Sequence, residues 1–123
     1  EVNNYKSLWC IEKVQSAKLE FELKHGRKPI IALMGLAFKP NIDDLRESPA
    51  KYIAQKIIEN DDNGEYLIVE PNINSHNLFK LTNYKTATEK ADIIVFLVAH
   101  KEFTEMKINK EKVLLDFSGV KNK

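Results

Sequence analysis

Two rhythms of apolar residues divide this chain. Through residues 4–24, Cys10, Ile11, Val14, Ala17 and Phe21 recur at three- and four-residue steps. That spacing places them on one face of a helix, which Leu8 and Trp9 are expected to widen. Lys24 and His25 suit the negative end of that helix, Gly26 is placed to close it, and Pro29 bars its continuation. The run Ile30-Ile31-Ala32-Leu33-Met34, ending at Gly35, has no polar position at all. A strand covered on both faces has this composition.

The alternation then repeats. Ser48 and Pro49 read as the N-cap and first residue of a helix whose stripe is Ala50, Ile53, Ala54, Ile57 and Ile58. Residues 60–64 end it. A second strand, Tyr66-Leu67-Ile68-Val69, stops at Glu70-Pro71. Residues 72–83 are irregular, with a short helical turn expected around 77–80. A short helix at 86–90, a third strand at 92–98, helical turns within 102–112 and a last strand at 113–116 complete the pattern. Strands alternating with helices imply right-handed crossovers. The expected fold is α/β, a doubly wound, Rossmann-like parallel sheet with helices on both faces, preceded by a long amino-terminal helix. In such sheets ligands bind beyond the carboxyl ends of the strands. The loops at 35–48, 70–74, 99–101 and 116–119 should meet there.

Composition narrows the functional classes. The chain of 123 residues fits one domain, with 43% hydrophobic and 30% charged residues. Its 19 basic and 18 acidic side chains leave a net charge of +1. That balance argues against nucleic acid or an anionic membrane as partner, and Arg27, Lys28, Lys121 and Lys123 read as solvated surface. The longest apolar run, residues 30–38, is about half of what a bilayer span requires. No signal peptide is visible, and one cysteine, Cys10, excludes an internal disulfide. A reducing, cytoplasmic setting is expected. The start at Glu1, inside what reads as a helix, suggests an excised domain, with residues 1–26 a connecting helix from a preceding region and 27–123 the domain proper.

The informative stretch is Gly35-Leu36-Ala37-Phe38-Lys39-Pro40-Asn41-Ile42-Asp43-Asp44-Leu45-Arg46-Glu47-Ser48-Pro49. Gly35 permits a sharp turn at the strand end. Phe38 is bulky and apolar in a polar loop, and Lys39 is a cation at the ligand-binding edge. Asp43, Asp44 and Arg46 can pair with each other or with a ligand. The helix beginning at Pro49 aims its positive end at this loop. These features suit a phosphate-bearing ligand, although a plain strand-to-helix connection with surface charges has the same ingredients. The stretch is not a self-sufficient NAD or ATP site. A dinucleotide fingerprint needs further glycines and a carboxylate roughly 20 residues on, and Glu70 falls well beyond that. A P-loop needs Ser or Thr after its lysine, and Lys39 precedes Pro40.

This string resembles the signature of the UDP-glucose/GDP-mannose dehydrogenase family in its carboxy-terminal domain: G-x-A-[FY]-K, a spacer, then D-D-x-R-x-S-P. Within that family it is especially similar to the members acting on UDP-N-acetylmannosamine. Val69-Glu70-Pro71-Asn72-Ile73, Ala91-Asp92 and Leu115-Asp116 match in order, so the resemblance covers nearly the whole chain. It implies that residues 27–123 bind a UDP-sugar. It also implies that an amino-terminal domain binds NAD, and that a central region supplies a catalytic cysteine and a dimer contact. The reaction it implies is two-step oxidation of the sugar C6 alcohol to the acid, for surface polysaccharide synthesis. By resemblance Phe38 and Lys39 contact the sugar nucleotide, and Arg46 reaches NAD held by the other domain. A basic residue two positions after the last strand's aspartate usually helps hold substrate. Ser118 stands there instead, with Lys121 the nearest basic substitute. The implied partners are the UDP-sugar, the remaining domains and a homodimer or higher assembly, with no catalytic residue in this chain and no turnover from it alone. The alternatives are the same domain of a UDP-N-acetylglucosamine or UDP-glucose dehydrogenase, or a stand-alone nucleotide-sensing or oligomerisation module.

Several other residues invite chemistry. Cys10 lies mid-helix on the apolar stripe and reads as a buried structural thiol. His25, His76 and His100 lack metal-ligand spacing, and His100, after the third strand, reads as an ordinary loop histidine. Asp43 and Asp44 read as partners that orient Arg46. Trp9 reads as a core or interdomain contact.

Overall fold

The computed structural model describes residues 4–37, 48–61, 64–73, 76 and 80–118. The elements run α1 (Asn4–His25), β1 (Ile30–Met34), α2 (Pro49–Glu59), β2 (Glu65–Val69), α3 (Tyr84–Lys90), β3 (Ile93–Phe96), α4 (Lys101–Thr104) and β4 (Val113–Asp116). The four strands form one sheet in the order β2-β1-β3-β4. All three pairings are parallel, with Ala32 opposite Leu67 on one side and Ile94 on the other.

Strand alternation splits the apolar runs between two cores. Ile31, Leu33, Ile93 and Val95 face α1 and α2 and pack with Cys10, Ile11, Val14, Phe21, Ile53 and Ile57. Ala32, Met34, Ile94 and Phe96 point the other way, onto Ala87 and Phe103 of α3 and α4. This two-sided cover explains the absence of polar residues from the first and third strands. Burying a leucine- or phenylalanine-sized side chain contributes about 1.5–3 kcal/mol. Gly26 takes φ +68 at the end of α1, and its N–H donates to the carbonyl of Glu22, so the helix stops where expected. Ser48 caps α2 by accepting the N–H of Lys51.

Three expectations need correction. Leu8 and Trp9 do not widen the buried face of α1: they are 53% and 48% exposed. The third strand, Ile93–Phe96, is shorter than expected at both ends. Asp92, whose carboxylate holds Arg27 and the Ile30 N–H, bonds to β1 and β4 only through its backbone at the strand's edge, and Leu97 and Val98 already turn out over the Met34 carbonyl. Helix within 102–112 is limited to Lys101–Thr104. Beyond it, the Asn109 side chain accepts the Glu111 N–H in a local turn, the preference that keeps asparagine out of helices. The turn expected around 77–80 lies largely outside the described residues.

Connectivity places a switch point in the sheet. The chain leaves β1 through α2 to reach β2 on one side. It leaves β3 through α4 to reach β4 on the other. The two exits diverge onto opposite faces and leave a crevice between the carboxyl ends of β1 and β3, where open α/β sheets bind ligands.

Candidate functional site

The crevice is built from the ends of β1, β3 and β4 and the start of α2. Gly35 turns the chain out of β1 at φ +101, with its N–H donated to the carbonyl of Val69. A Cβ there would stand 2.7 Å from Val98 Cβ, so the β1 and β3 exits are as close as glycine permits. Ala37, Pro49, Ala50, Leu97, Val98, Ala99 and Ser118 line a cavity of about 220 Å³ at this point. The amino end of α2, with its positive dipole end, therefore borders the crevice, its Lys51 and Tyr52 N–H groups already donated to Ser48.

Behind the crevice lies a buried polar network. Glu70 ends β2 and is 3% exposed. Its Oε1 accepts the N–H of Leu36 at 2.8 Å, the N–H of Ala37 at 3.0 Å and Nε2–H of His100 at 2.9 Å. Its Oε2 accepts the Asn72 N–H at 3.0 Å. Burial acts to raise the Glu70 pKa. The hydrogen bonds from His100, Leu36 and Asn72, with the charge interaction of His100, outweigh it and hold the carboxyl below its ordinary value. Glu70 is thus an anion, and His100 must donate through Nε2. Nδ1 of His100 lies 3.2 Å from Nδ2 of Asn72, a second hydrogen bond that anchors the ring. Ser48 joins from the other side, its Oγ donating to the carbonyl of Leu36 at 2.6 Å.

This network bears on NAD. In a dinucleotide fold, the N–H groups just after the first strand receive the pyrophosphate. Here those of Leu36 and Ala37 are both bonded to Glu70, an internal carboxylate in the position of a ligand anion. The β1 turn does not fit a dinucleotide pyrophosphate.

Of the residues singled out from sequence, Ser118 lies in the crevice. Its hydroxyl and N–H both donate to Oδ1 of Asp116, at 2.8 and 3.1 Å. Phe38, Lys39, Arg46, Asp43, Asp44 and Lys121 lie outside the described residues. His100 is not an ordinary loop histidine; it is fully buried against Glu70 and Phe103. Glu70 was legible only as a strand stop, and the signal that could have found it is a carboxylate followed by proline at a buried strand end. Trp9 meets Phe117 edge-on at 5.6 Å, beside Ser118, so the start of α1 braces the β4 exit. Cys10 is buried in the α1–sheet core. Among the described residues, no three His, Cys, Asp or Glu side chains converge as metal ligands, and no helix is long and apolar enough to cross a membrane.

Cavity size alone would point elsewhere. A cavity of about 880 Å³ opens on the flank of α3 and α4, and one of about 600 Å³ lies by Arg27 and Asp92 at the amino edge of the sheet. Neither is lined by a residue of the strand-exit network, and the connectivity of the sheet favours the smaller crevice.

A sequence model of the UDP-glucose/GDP-mannose dehydrogenase family, UDP binding domain, matches residues 32–123. The chain belongs to this family. It is 41% identical to the UDP-N-acetyl-D-mannosamine dehydrogenase of Yersinia pestis, over 97% of this chain and 30% of that protein. It is 44% identical to the enzyme of the same name from Escherichia coli K12, over 84% of this chain and 26% of that protein. A relative from Ralstonia nicotianae, named NDP-N-acetyl-D-galactosaminuronic acid dehydrogenase, is 36% identical over 98% of this chain and 28% of its own length. The chain therefore spans less than a third of these dehydrogenases. Among solved structures, the GDP-mannose dehydrogenase of Pseudomonas aeruginosa shares the fold with a TM-score of 0.73 at 20% identity, over 96% of this chain and 29% of its own. The UDP-D-ManNAc dehydrogenase of Pyrococcus horikoshii superposes with a TM-score of 0.69 at 26% identity, over 96% of this chain and 28% of its own.

Proposed function

We propose that this chain is the UDP-sugar-binding part of an NAD-dependent dehydrogenase that oxidises C6 of UDP-N-acetylmannosamine to the acid. The observation that carries the reading is the switch-point crevice, bordered by the amino end of an 11-residue helix, in a chain matched by the UDP binding domain of its family. The choice of sugar follows the names of the relatives that are 41% and 44% identical.

The work assigned to this chain is binding. Lys39 supplies a positive point charge to the sugar nucleotide, Phe38 an apolar contact, and the amino end of α2 a favourable field for phosphate. Ser118 lines the crevice and is the polar side chain that takes the place of the usual basic contact. Arg46 reaches towards NAD, which supplies hydride acceptance and is held mainly outside this chain, in keeping with a β1 turn already filled by Glu70. The reactive thiol also belongs outside it, since Cys10 is buried in the core. On this reading the chain alone does not turn over, and the whole enzyme is a cytoplasmic homodimer or larger assembly.

Replacing Lys39 with Met in the full natural protein tests the assignment. Loss of a charged contact costs about 2–3 kcal/mol, so kcat/KM for the UDP-sugar should fall roughly 30- to 150-fold. A value within about twofold of wild type, in a folded protein, contradicts it. A panel of UDP-sugars on the wild type decides the sugar.

A further inference from the structure

Leu36 is held at both polar groups of its backbone. Its N–H goes to Glu70 of the β2 exit, and its carbonyl accepts from Ser48 at the head of α2. The Ala37 N–H shares the same carboxylate oxygen, and His100 from the β3 exit donates to it as well. A single buried carboxylate thus ties together the exits of β1, β2 and β3. Stability alone is a poor reason for a carboxylate here. Replacing a buried ion or polar pair with apolar groups of similar shape is often neutral or stabilising. What apolar packing lacks is direction, whereas four donors converging on two oxygens fix a backbone position to within hydrogen-bond tolerance.

We propose that Glu70, supported by His100, is a positioning residue for nucleotide binding. It holds the Leu36–Ala37 wall of the crevice at a fixed place against Pro49, Ala50 and Ser118, and so sets affinity for the diphosphate ligand without touching it. This rests on the reading that the crevice takes a UDP-sugar. Glu70→Ala removes the acceptor and leaves the Leu36, Ala37, Asn72 and His100 donors around a carboxylate-sized space. Formate, a small carboxylate, has the shape and charge to refill it. Glu70→Gln keeps one carbonyl oxygen but turns an NH₂ group towards one of the donors.

The experiment measures UDP affinity by calorimetry in the full natural protein, with and without formate, alongside the melting temperature and amide exchange at Leu36 and Ala37. The expected result is a Kd raised about tenfold or more in Glu70→Ala and about threefold in Glu70→Gln, with faster exchange at both amides. Formate should recover part of the affinity in Glu70→Ala and change nothing in wild type. Should Glu70→Ala fail to fold, the Gln variant carries the test. A Kd within twofold of wild type in a folded variant with a lowered melting temperature makes Glu70 merely structural and overturns the proposal. Absence of UDP binding by the wild type overturns the proposed function instead. The exchange rates then still decide the tether: wild-type protection of Leu36 and Ala37 in the variants overturns it.

Discussion

Gly35 and Val98 close the base of the crevice: the position of a Gly35 Cβ lies 2.7 Å from Val98 Cβ, and Gly35 itself holds φ +101. Backbone conformation and space therefore exclude a side chain together. Gly35→Ala should destabilise the fold by about 2–4 kcal/mol, combining a left-handed penalty with overpacking. Adding Val98→Gly, which removes the Cβ that alanine would keep, should relieve most of the steric part and none of the left-handed penalty. Denaturation of both single variants and the double variant would give a favourable coupling energy. Strict additivity would mean that the contact is relaxed elsewhere.

His100 is fully buried and its Nε2 donates to an ionised Glu70 at 2.9 Å. Removing the donor leaves a buried carboxylate short of one partner. His100→Leu should cost about 1.5–3 kcal/mol, the range for hydrogen bonds to charged groups. The measurement is a urea midpoint with an unchanged slope. Wild-type stability in this variant would contradict the network.

Acid should unfold the protein through Glu70 and Asp92. Burial opposes ionisation of Glu70, but its hydrogen bonds prevail and depress its pKa. Asp92 is depressed first by its hydrogen bond from Arg27, against a smaller cost of burial. A carboxylate with a depressed folded pKa stabilises above its unfolded pKa and loses that contribution as pH falls through the folded value. The melting temperature should therefore hold from neutral pH down to the ordinary carboxylate range near pH 4 and fall below it. Glu70→Gln and Asp92→Asn should each make that acid limb shallower. An unchanged limb in both would contradict these assignments.

Local patterns were legible in the sequence, and contacts between distant loops were not. Ser48, Pro49 and the stripe from Ala50 to Ile57 announce α2 because capping and helical period are properties of neighbours. The run at Ile30–Met34 announces a doubly covered strand for the same reason. The Glu70–His100 pair is invisible because its members lie on different loops and meet only once the sheet orders β2-β1-β3. Trp9 misled for a related reason: helical spacing puts it beside the apolar face, but its ring stays half-exposed, edge-on to Phe117 and with Lys13 over it. The candidate site was readable as a meeting of strand-end loops, while Lys39 itself lies outside the described residues. The carboxylate filling the β1 turn became apparent only from three-dimensional proximity.

Cys10 is 1% exposed and packs between α1 and the sheet. Cys10→Ser should lower stability by about 1–2 kcal/mol, the cost of placing a hydroxyl on an apolar face. Dehydrogenase kcat in the full natural protein should stay within a small factor of wild type. A fall of several orders of magnitude would make Cys10 the reactive thiol and contradict its assignment to the core.

The central claim is that UDP occupies the crevice between the β1 and β3 exits. Hydrogen exchange of the full natural protein with and without saturating UDP tests it most directly. Bound UDP should slow exchange around Leu36 and Ala37, at the start of α2 near Ala50, and at Val98, Ala99 and Ser118, while the amino edge near Arg27, Asp92 and Lys112 stays unchanged. Protection confined to that amino edge, or to the flank of α3 and α4, would contradict the account.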